Sequence, residues 1–324
     1  MDELTTRRDL IRVTCSFYEV RMWIVFASLS AVFTAGHDVL GSTAETKNLP
    51  VLTRTLIVTL VTALLMIPAF FFSSYADLDL RFCLLHLLRA GMLTIASLLY
   101  LRALSLGPLS QTQPILALTP VFLAFTNPII THERVPIVGW IGVVIVGIGL
   151  YATQHPGPIK EQSLIRSFLS PIVELLRQPG AYTKLGVAAI YAVTSSLDRV
   201  CLDAAHKQWG LSLAVNQWLV TGFLCIALPF VYRGQSIKTQ IPAHAWKTLI
   251  SQGLARSFGT MAHFAALSFA PVPYVIAVKR LSIVLASGWD YFIRKEREPH
   301  WYRLVGTLLV AVGITVIVLF GRTR

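Results

Sequence analysis

Ten stretches of about 20 mostly apolar residues recur along this chain of 324 residues. An α-helix of that length crosses the hydrocarbon core of a bilayer. Within that core only helices and closed barrels can satisfy every backbone hydrogen bond internally. We therefore predict an all-α integral membrane protein with ten transmembrane helices. The predicted spans are 22–41, 53–74, 83–105, 109–130, 136–154, 183–204, 211–232, 247–269, 273–293 and 303–320.

The composition supports the same class of protein. Only 14% of the residues are charged, 55% are hydrophobic, and the mean hydropathy is +0.64. A soluble domain carries about 25% charged residues. The net charge of +12 would suggest nucleic acid in a soluble protein. Here the Lys and Arg residues lie mainly between apolar runs, where they fix topology and meet lipid headgroups. We therefore expect a lipid bilayer, and no nucleic acid, as partner.

The segments outside the spans show no further folded domain. Residues 1–21 are predicted to be a polar cytoplasmic tail, and 155–182 a linker whose segment Leu164–Arg177 is typical of an interfacial helix. The four cysteines are scattered and have no CxxC spacing, so they indicate neither disulfide nor metal site. We expect no cofactor, and a homodimer is left open.

An internal repeat organises the ten spans. The sequence ALSLGP at 103–108 recurs as ALSFAP at 266–271, an offset of 163 positions from Ala103 to Ala266. The same offset carries ERVP at 133–136 onto EREP at 296–299, with no insertion between the two matches. Residues 22–154 and 183–320 are therefore predicted to be homologous five-helix repeats.

Further matches extend the repeat towards both ends. Gly142 and Gly149 correspond to Gly306 and Gly313, and SAV at 30–32 parallels YAV at 191–193. Because five is an odd number, the second repeat must enter the membrane in the opposite sense. Inverted repeats of this kind characterise secondary transporters, whose substrate site lies near the midplane between the repeats.

The repeated motifs resemble a known family. The stretches ALSLGPLSQTQPILALTPVFLAF and HERVPIVGWIGVVIVGIGLY are similar to the signature of the drug/metabolite transporter superfamily, EamA type. AALSFAPVPYVIAVKRLSIVLAS and KEREPHWYRLVGTLLVAVGITV resemble its second copy. The resemblance covers 22–320 and implies a secondary transporter that moves a small metabolite by alternating access.

The same resemblance implies a cell-membrane location, with the bacterial inner membrane expected, and both termini in the cytoplasm. More Lys and Arg residues fall on the segments that this orientation places outside, so the positive-inside rule favours the opposite orientation. We favour cytoplasmic termini, because the cluster of Arg7, Arg8 and Arg12 precedes the first span.

Lys279 and Arg280 are the first candidates for substrate binding, because ionisable side chains inside spans are costly and usually functional. Their equivalents in the first repeat are Leu116 and Ala117, and this asymmetry indicates a substrate requirement in one repeat. Adjacent helical residues diverge by about 100°, so we expect one of the pair to point at the substrate.

The resemblance to phosphate-exchanging plastid transporters implies that such a Lys-Arg pair binds a phosphate-type anion. The alternative is that the pair contacts backbone carbonyls or lipid phosphates. His263, Tyr274 and Tyr100 are the other predicted substrate-binding residues, although aromatic belts at the membrane surface also explain tyrosines.

Inverted topology predicts which charged residues can form pairs. Asp198 with Arg89, and Asp38 with Arg256, share sides of the membrane and are predicted to close the two ends of the path. Asp38 and Arg199 lie on opposite sides. Arg199 is therefore expected, like Lys279 and Arg280, to lack a carboxylate partner.

Histidine in a span can carry protons or join helices. His37 is our candidate for coupling transport to protons, and a helix–helix hydrogen bond is the alternative for both His37 and His263. Glu133 and Glu296 follow spans at the interface, where we interpret them as structural.

Charge counting favours an anionic substrate. Arg89, Arg199, Arg256, Lys279 and Arg280 outnumber the carboxylates of residues 38, 198 and 290 within the spans. An excess of buried cations is expensive unless a mobile anion neutralises it. The predicted substrate is thus a small carboxylate or phosphate ester.

Other functions are weighed against this one. The first alternative is an exporter of amino acids or amphipathic drugs, and a less favoured one is a membrane enzyme acting on a lipid-linked substrate. We expect no enzymatic activity. The sequence has no GxxxxGK[ST] run, so ATP-driven transport by this chain is not expected.

Overall fold

The computed structural model describes residues 2–41, 43–47, 49–75, 78–106, 119–133, 135–153, 181–231, 241–293 and 301–320. All regular secondary structure in these ranges is helical. The helices are α1 Asp2–Gly41, α2 Ala44–Lys47, α3 Val51–Leu65, α4 Ile67–Phe71, α5 Leu80–Leu106, α6 Thr119–Thr131, α7 Ile137–Thr153, α8 Ala181–Ala204, α9 Trp209–Val231, α10 Ala243–Leu267, α11 Val272–Lys279, α12 Leu281–Ile293 and α13 Trp301–Phe320.

These helices account for the predicted spans. Five segments are long and apolar enough to cross a bilayer, namely Met22–Gly41, Val51–Phe71, Leu80–Tyr100, Tyr182–Ala204 and Trp209–Val231. Shorter apolar helices cover Phe122–Thr131, Ile137–Ala152 and Val305–Phe320. The more polar α10 and the interrupted pair α11–α12 occupy the two remaining predicted spans. The prediction of an all-α membrane protein is confirmed.

The first helix is longer than a membrane span. It runs for 40 residues, or about 60 Å at 1.5 Å per residue. Residues 2–21, which the sequence predicts as a polar tail, therefore continue the helix of the first span.

The packing of the helices follows the repeat. Helix α1 packs against α10, and its counterpart α8 packs against α5. Likewise α3 contacts α10 while α9 contacts α5, and α8 contacts α6 while α1 contacts α11 and α12. Each of these contacts joins one repeat to the other, and exchanging the repeats converts each contact into its partner.

Four glycines show the same symmetry between α7 and α13. A Cβ atom built at Gly142 would lie 3.0 Å from the carbonyl oxygen of Gly313, and one at Gly149 would lie 2.8 Å from that of Gly306. Gly142 corresponds to Gly306 and Gly149 to Gly313 in the repeat. Exchanging the repeats thus maps one close contact onto the other, as a twofold relation requires. Only glycine permits backbones to approach so closely.

The ninth span is interrupted at Arg280. Helix α11 ends at Lys279 and α12 begins at Leu281, whereas the sequence predicts one continuous helix. The N–H of Ile283 donates to the Arg280 carbonyl at 3.0 Å, three residues back, so the regular i to i−4 pattern fails here. Discontinuous helices near the midplane often mark the binding sites of transporters.

Candidate functional site

A buried cluster of charged residues joins α5, α8 and α10. The Nε atom of Arg89 lies 2.6 Å from Oδ1 of Asp198, and Nε2 of His263 lies 3.4 Å from Oδ2 of the same carboxylate. Arg89 and Asp198 are each 5% exposed. The guanidinium also lies 5.9 Å above the centre of the Phe264 ring. The predicted Arg89–Asp198 contact is therefore present, and its role as a gate stays a prediction.

The symmetry-related position holds a neutral contact. Arg89 corresponds to Gln252 by the offset of 163, and Asp198 corresponds to His37 by the offset that relates Ser30 to Tyr191. His37 Nδ1 lies 3.2 Å from the Gln252 carbonyl oxygen, and Nε2 of Gln252 donates to the His37 carbonyl oxygen at 3.3 Å. His37 thus joins α1 to α10. Sequence reasoning missed Gln252 because a neutral side chain in a span gives no charge signal.

Asp38 faces a group of cations. It is exposed, and the charges that act on it are, in decreasing order, those of Arg280, Lys279, Arg256 and Arg54. None of these cations forms an ion pair with Asp38 among the described residues. The predicted Asp38–Arg256 ion pair is therefore absent from the described residues, and a role of the two residues as a gate stays a prediction. The position equivalent to the Arg89–Asp198 ion pair is occupied by the His37–Gln252 contact.

Arg54 on α3 belongs to the same group. Its Nη1 atom donates to the carbonyl oxygen of Gly41 at 2.8 Å, which caps the C-terminal end of α1. Its charge also acts on Asp38 and on Tyr100 of α5. The sequence places Arg54 at the edge of a predicted span, where arginine usually reaches the lipid headgroups, and it was therefore not predicted as a site residue.

Lys279 and Arg280 have different neighbours. The carboxylate that acts most strongly on Lys279 is Asp198, whereas for Arg280 it is Asp38. Neither cation forms an ion pair within the described part of the chain, and both are partly exposed. The charge of Lys279 is thus coupled mainly to Asp198 and that of Arg280 mainly to Asp38.

Arg256 and Tyr191 complete the Asp38 group from α10 and α8. Arg256 is acted on by Tyr191, Arg89 and Asp38, and Arg280 also acts on Tyr191. The Asp38 group thus contains guanidinium, ammonium and phenol groups contributed by five segments of the chain. Such groups bind carboxylate or phosphate oxygens.

Arg199 is not an unpartnered cation, so that expectation was wrong. Its Nε atom lies 3.4 Å from Asp203 Oδ2 and 3.7 Å from Glu133 Oε1. Its Nη1 atom also donates to the carbonyl oxygen of Leu267. Asp203 lies one turn further along α8, and Glu133 comes from the other repeat. Arg199 therefore joins the repeats near the end of α8.

Glu133 holds the start of α11. Its Oε2 atom accepts hydrogen bonds from the backbone N–H of Val272 and from Nδ2 of Asn127, both at 3.1 Å. A carboxylate at a helix N-terminus satisfies free N–H groups and interacts favourably with the helix dipole. The structural interpretation of Glu133 is confirmed, and Glu296 lies outside the described residues.

The two predicted tyrosines lie in different environments. Tyr274 is 3% exposed in the hydrophobic core, where its ring lies 6.4 Å from that of Trp23. Its hydroxyl fills the space that a side chain at Gly139 would need. Tyr100 instead lies in electrostatic range of Arg54 and Asp38. Tyr274 is therefore a residue of the hydrophobic core, and the role of Tyr100 in substrate binding stays a prediction.

No cluster of three or more His, Cys, Asp or Glu residues suitable for a metal ion occurs in the described part of the chain. The side chain of Asp290, the third carboxylate in the charge count, lies outside the described residues.

Comparisons with known proteins agree with this architecture. A solved structure described only as "Crystal structure of protein" matches with a TM-score of 0.66 and 14% identity, over 95% of this chain and 98% of the other. A curated relative, "Probable magnesium transporter NIPA1" of Arabidopsis thaliana, is 41% identical over 61 residues. That match covers 19% of this chain and 18% of the relative. The model of the "EamA-like transporter family" matches 21–153 and 178–319. This chain therefore belongs to the EamA-like transporter family.

Proposed function

We propose that this membrane transporter moves a small organic anion, a carboxylate or a phosphate ester, by alternating access. The observation that carries the proposal is the group of cations around Asp38. Four positive side chains act on this one carboxylate, and no ion pair joins them to it among the described residues. An anionic substrate would neutralise charge that is otherwise costly to keep in the membrane interior.

The symmetric contacts support a path that opens at alternate ends. The Arg89–Asp198 ion pair joins α5 to α8, and the His37–Gln252 contact joins α1 to α10. Because the repeats are inverted, these contacts lie towards opposite faces of the membrane. Breaking one while keeping the other would expose the cations to one face at a time.

Three other kinds of cargo are less well supported by the site. The Arabidopsis relative is named as a probable magnesium transporter, but magnesium prefers oxygen ligands that include carboxylates. Here a single exposed carboxylate faces four cations. A zwitterionic amino acid could use Asp38 for its ammonium group, and amphipathic drugs or amines would lack a partner for the cations.

The test is transport into proteoliposomes. Labelled succinate and labelled inorganic phosphate serve as probes, and Mg²⁺, a neutral amino acid and a primary amine serve as competitors. Replacing Arg280→Gln or Arg256→Gln should lower anion uptake about 10- to 100-fold, because a hydrogen bond to a charged group contributes about 1.5–3 kcal/mol. Arg81→Gln is the matched control, since Arg81 is exposed at the start of α5.

Normal anion uptake by both site variants would contradict the proposal. Competition by Mg²⁺ or by the amine, without competition between the anions, would also contradict it. We further propose, from composition and family, that the protein functions in a bacterial inner membrane and catalyses no reaction. The molecular mass of the protein in detergent measures whether it forms a homodimer.

A further inference from the structure

We infer that Asp38 binds a proton whenever the substrate anion binds, so that the protein is an anion–proton symporter. This inference rests on the proposed function and adds a second cargo, the proton. It assigns the coupled proton to Asp38, the carboxylate inside the cation group, and not to His37, the coupling candidate from the sequence. The His37 ring nitrogen Nδ1 lies 3.2 Å from the Gln252 carbonyl oxygen and joins α1 to α10.

The geometry places Asp38 in competition with the substrate. Asp38 lies three residues before Gly41, whose carbonyl oxygen accepts a hydrogen bond from Arg54 at 2.8 Å, and it follows His37, which contacts Gln252 one turn before Arg256 on α10. Lys279 and Arg280 lie at the break between α11 and α12, and both of these helices pack against α1. The charges of all four cations act on Asp38, and an incoming anion would meet the same cations. Asp38 is exposed and has no ion-pair partner among the described residues. An ionised Asp38 therefore shares its cations with the substrate and repels it at the same time.

The groups that face Asp38 come from several elements. The break between α11 and α12 contributes Lys279 and Arg280, α10 contributes Arg256, and α3 contributes Arg54. Tyr100 of α5 is in electrostatic range as well. Among the described residues Glu45 of α2 is the acidic neighbour on the same side, and it accepts a hydrogen bond from Thr248 instead. No carboxylate of the described residues is among the charges that act on Asp38.

Protonation removes this competition. One proton converts the carboxylate of Asp38 into a neutral carboxylic acid, which leaves the four cations to the substrate. The coupling free energy between two bound ligands is reciprocal, so the bound anion must also raise the affinity of Asp38 for the proton. Couplings between two ligands typically amount to about 5- to 150-fold in affinity. Anion affinity should therefore rise as pH falls, and an acidic outside should drive accumulation of the anion.

The experiment measures anion and proton movement together. Proteoliposomes containing the full chain and a trapped pH-sensitive dye are given labelled succinate or labelled inorganic phosphate. Wild-type protein should accumulate the probe when the outside is acidic, and the dye should report acidification with uptake. Asp38→Asn should retain exchange of labelled for unlabelled probe but lose accumulation driven by the pH gradient and lose acidification.

Two further variants make the result specific. Asp38→Glu keeps a titratable carboxylate and should retain proton coupling. Glu45→Gln removes an exposed carboxylate on the same side and should leave coupling unchanged. A thermal unfolding curve for each variant in detergent shows whether it is folded. If Asp38→Asn is unfolded, the dye signals of wild-type protein and of Asp38→Glu show whether a proton moves with the anion.

The outcomes separate the two ideas. Wild-type uptake of a probe without acidification, or unchanged accumulation by folded Asp38→Asn, would overturn symport and leave anion transport standing. Absence of uptake and exchange of both probes by wild-type protein would overturn the proposed function, and symport with it.

Discussion

The carboxylate of Glu133 accepts a hydrogen bond from the backbone N–H of Val272 at 3.1 Å. Glu133 belongs to the first repeat, and Val272 is the first residue of α11 in the second. The other end of this eight-residue helix carries Lys279. The first repeat therefore fixes the position of the half-helix that presents the cations of the second.

Glu133→Ala should destabilise the protein and weaken transport together. It leaves the N–H of Val272 and the guanidinium of Arg199 without this acceptor, and a lost buried hydrogen-bond partner costs about 1–3 kcal/mol. Glu133→Gln keeps an acceptor oxygen and should lose less. Thermal unfolding in detergent and uptake assays measure both effects, and equal behaviour of the two variants would contradict this role.

Breaking the Arg89–Asp198 ion pair should be costly, but removing both partners should not. Arg89→Met or Asp198→Leu alone leaves an uncompensated buried charge and should cost about 3–5 kcal/mol. The double variant should recover most of that stability and still transport abnormally. Thermal unfolding of all four proteins gives the coupling free energy, and additive single effects would show that the pair contributes nothing.

The glycine contact between α7 and α13 should tolerate no methyl group. Gly149→Ala places a Cβ atom 2.7 Å from the backbone nitrogen of Val310, and overpacking of this kind costs about 1–3 kcal/mol. Gly186→Ala in α8 is the control, because nothing lies within 4 Å of its Cβ position. A lower unfolding temperature for Gly149→Ala alone is the expected result.

A cysteine at position 280 should react with a charged thiol reagent, because Arg280 is partly exposed. The experiment needs a background without native cysteines, since Cys83 and Cys225 are exposed. Val278→Cys should stay unreactive, because Val278 is 1% exposed. Labelling followed by mass spectrometry measures the difference. Equal inertness of both positions would show that the Arg280 position is closed to water.

Much of the architecture follows from patterns that the sequence shows directly. Spans are visible because lipid tolerates few charges, and the duplication is visible at the ALSLGP and ERVP motifs. The symmetry of the glycine contacts also follows, since their positions in the repeat determine which backbones can approach each other. The Arg89–Asp198 contact was predictable because inverted topology leaves few charged pairs on one side.

The rest depends on details that no periodic pattern encodes. The break at Arg280 is a local change of the hydrogen-bond pattern within an apolar run, where the N–H of Ile283 donates to the Arg280 carbonyl. Gln252 carries no charge. The sequence position of Arg54 suggests a contact with lipid headgroups, whereas in the structure Arg54 binds the C-terminal end of α1. Arg199 finds its partners through Asp203, one turn away, and Glu133, from the other repeat. Such contacts are set by three-dimensional packing.

The Arg89–Asp198 ion pair and the His37–Gln252 contact occupy equivalent positions but differ in strength. Hydrogen bonds to charged groups contribute about 1.5–3 kcal/mol, and neutral ones about 0.5–1.5 kcal/mol. A difference of about 1 kcal/mol biases a two-state equilibrium roughly fivefold. Unloaded molecules should then rest mostly with the α5–α8 end shut. Half-saturating substrate concentrations measured from the two faces of the membrane should consequently differ, although the scaffold itself is nearly symmetrical.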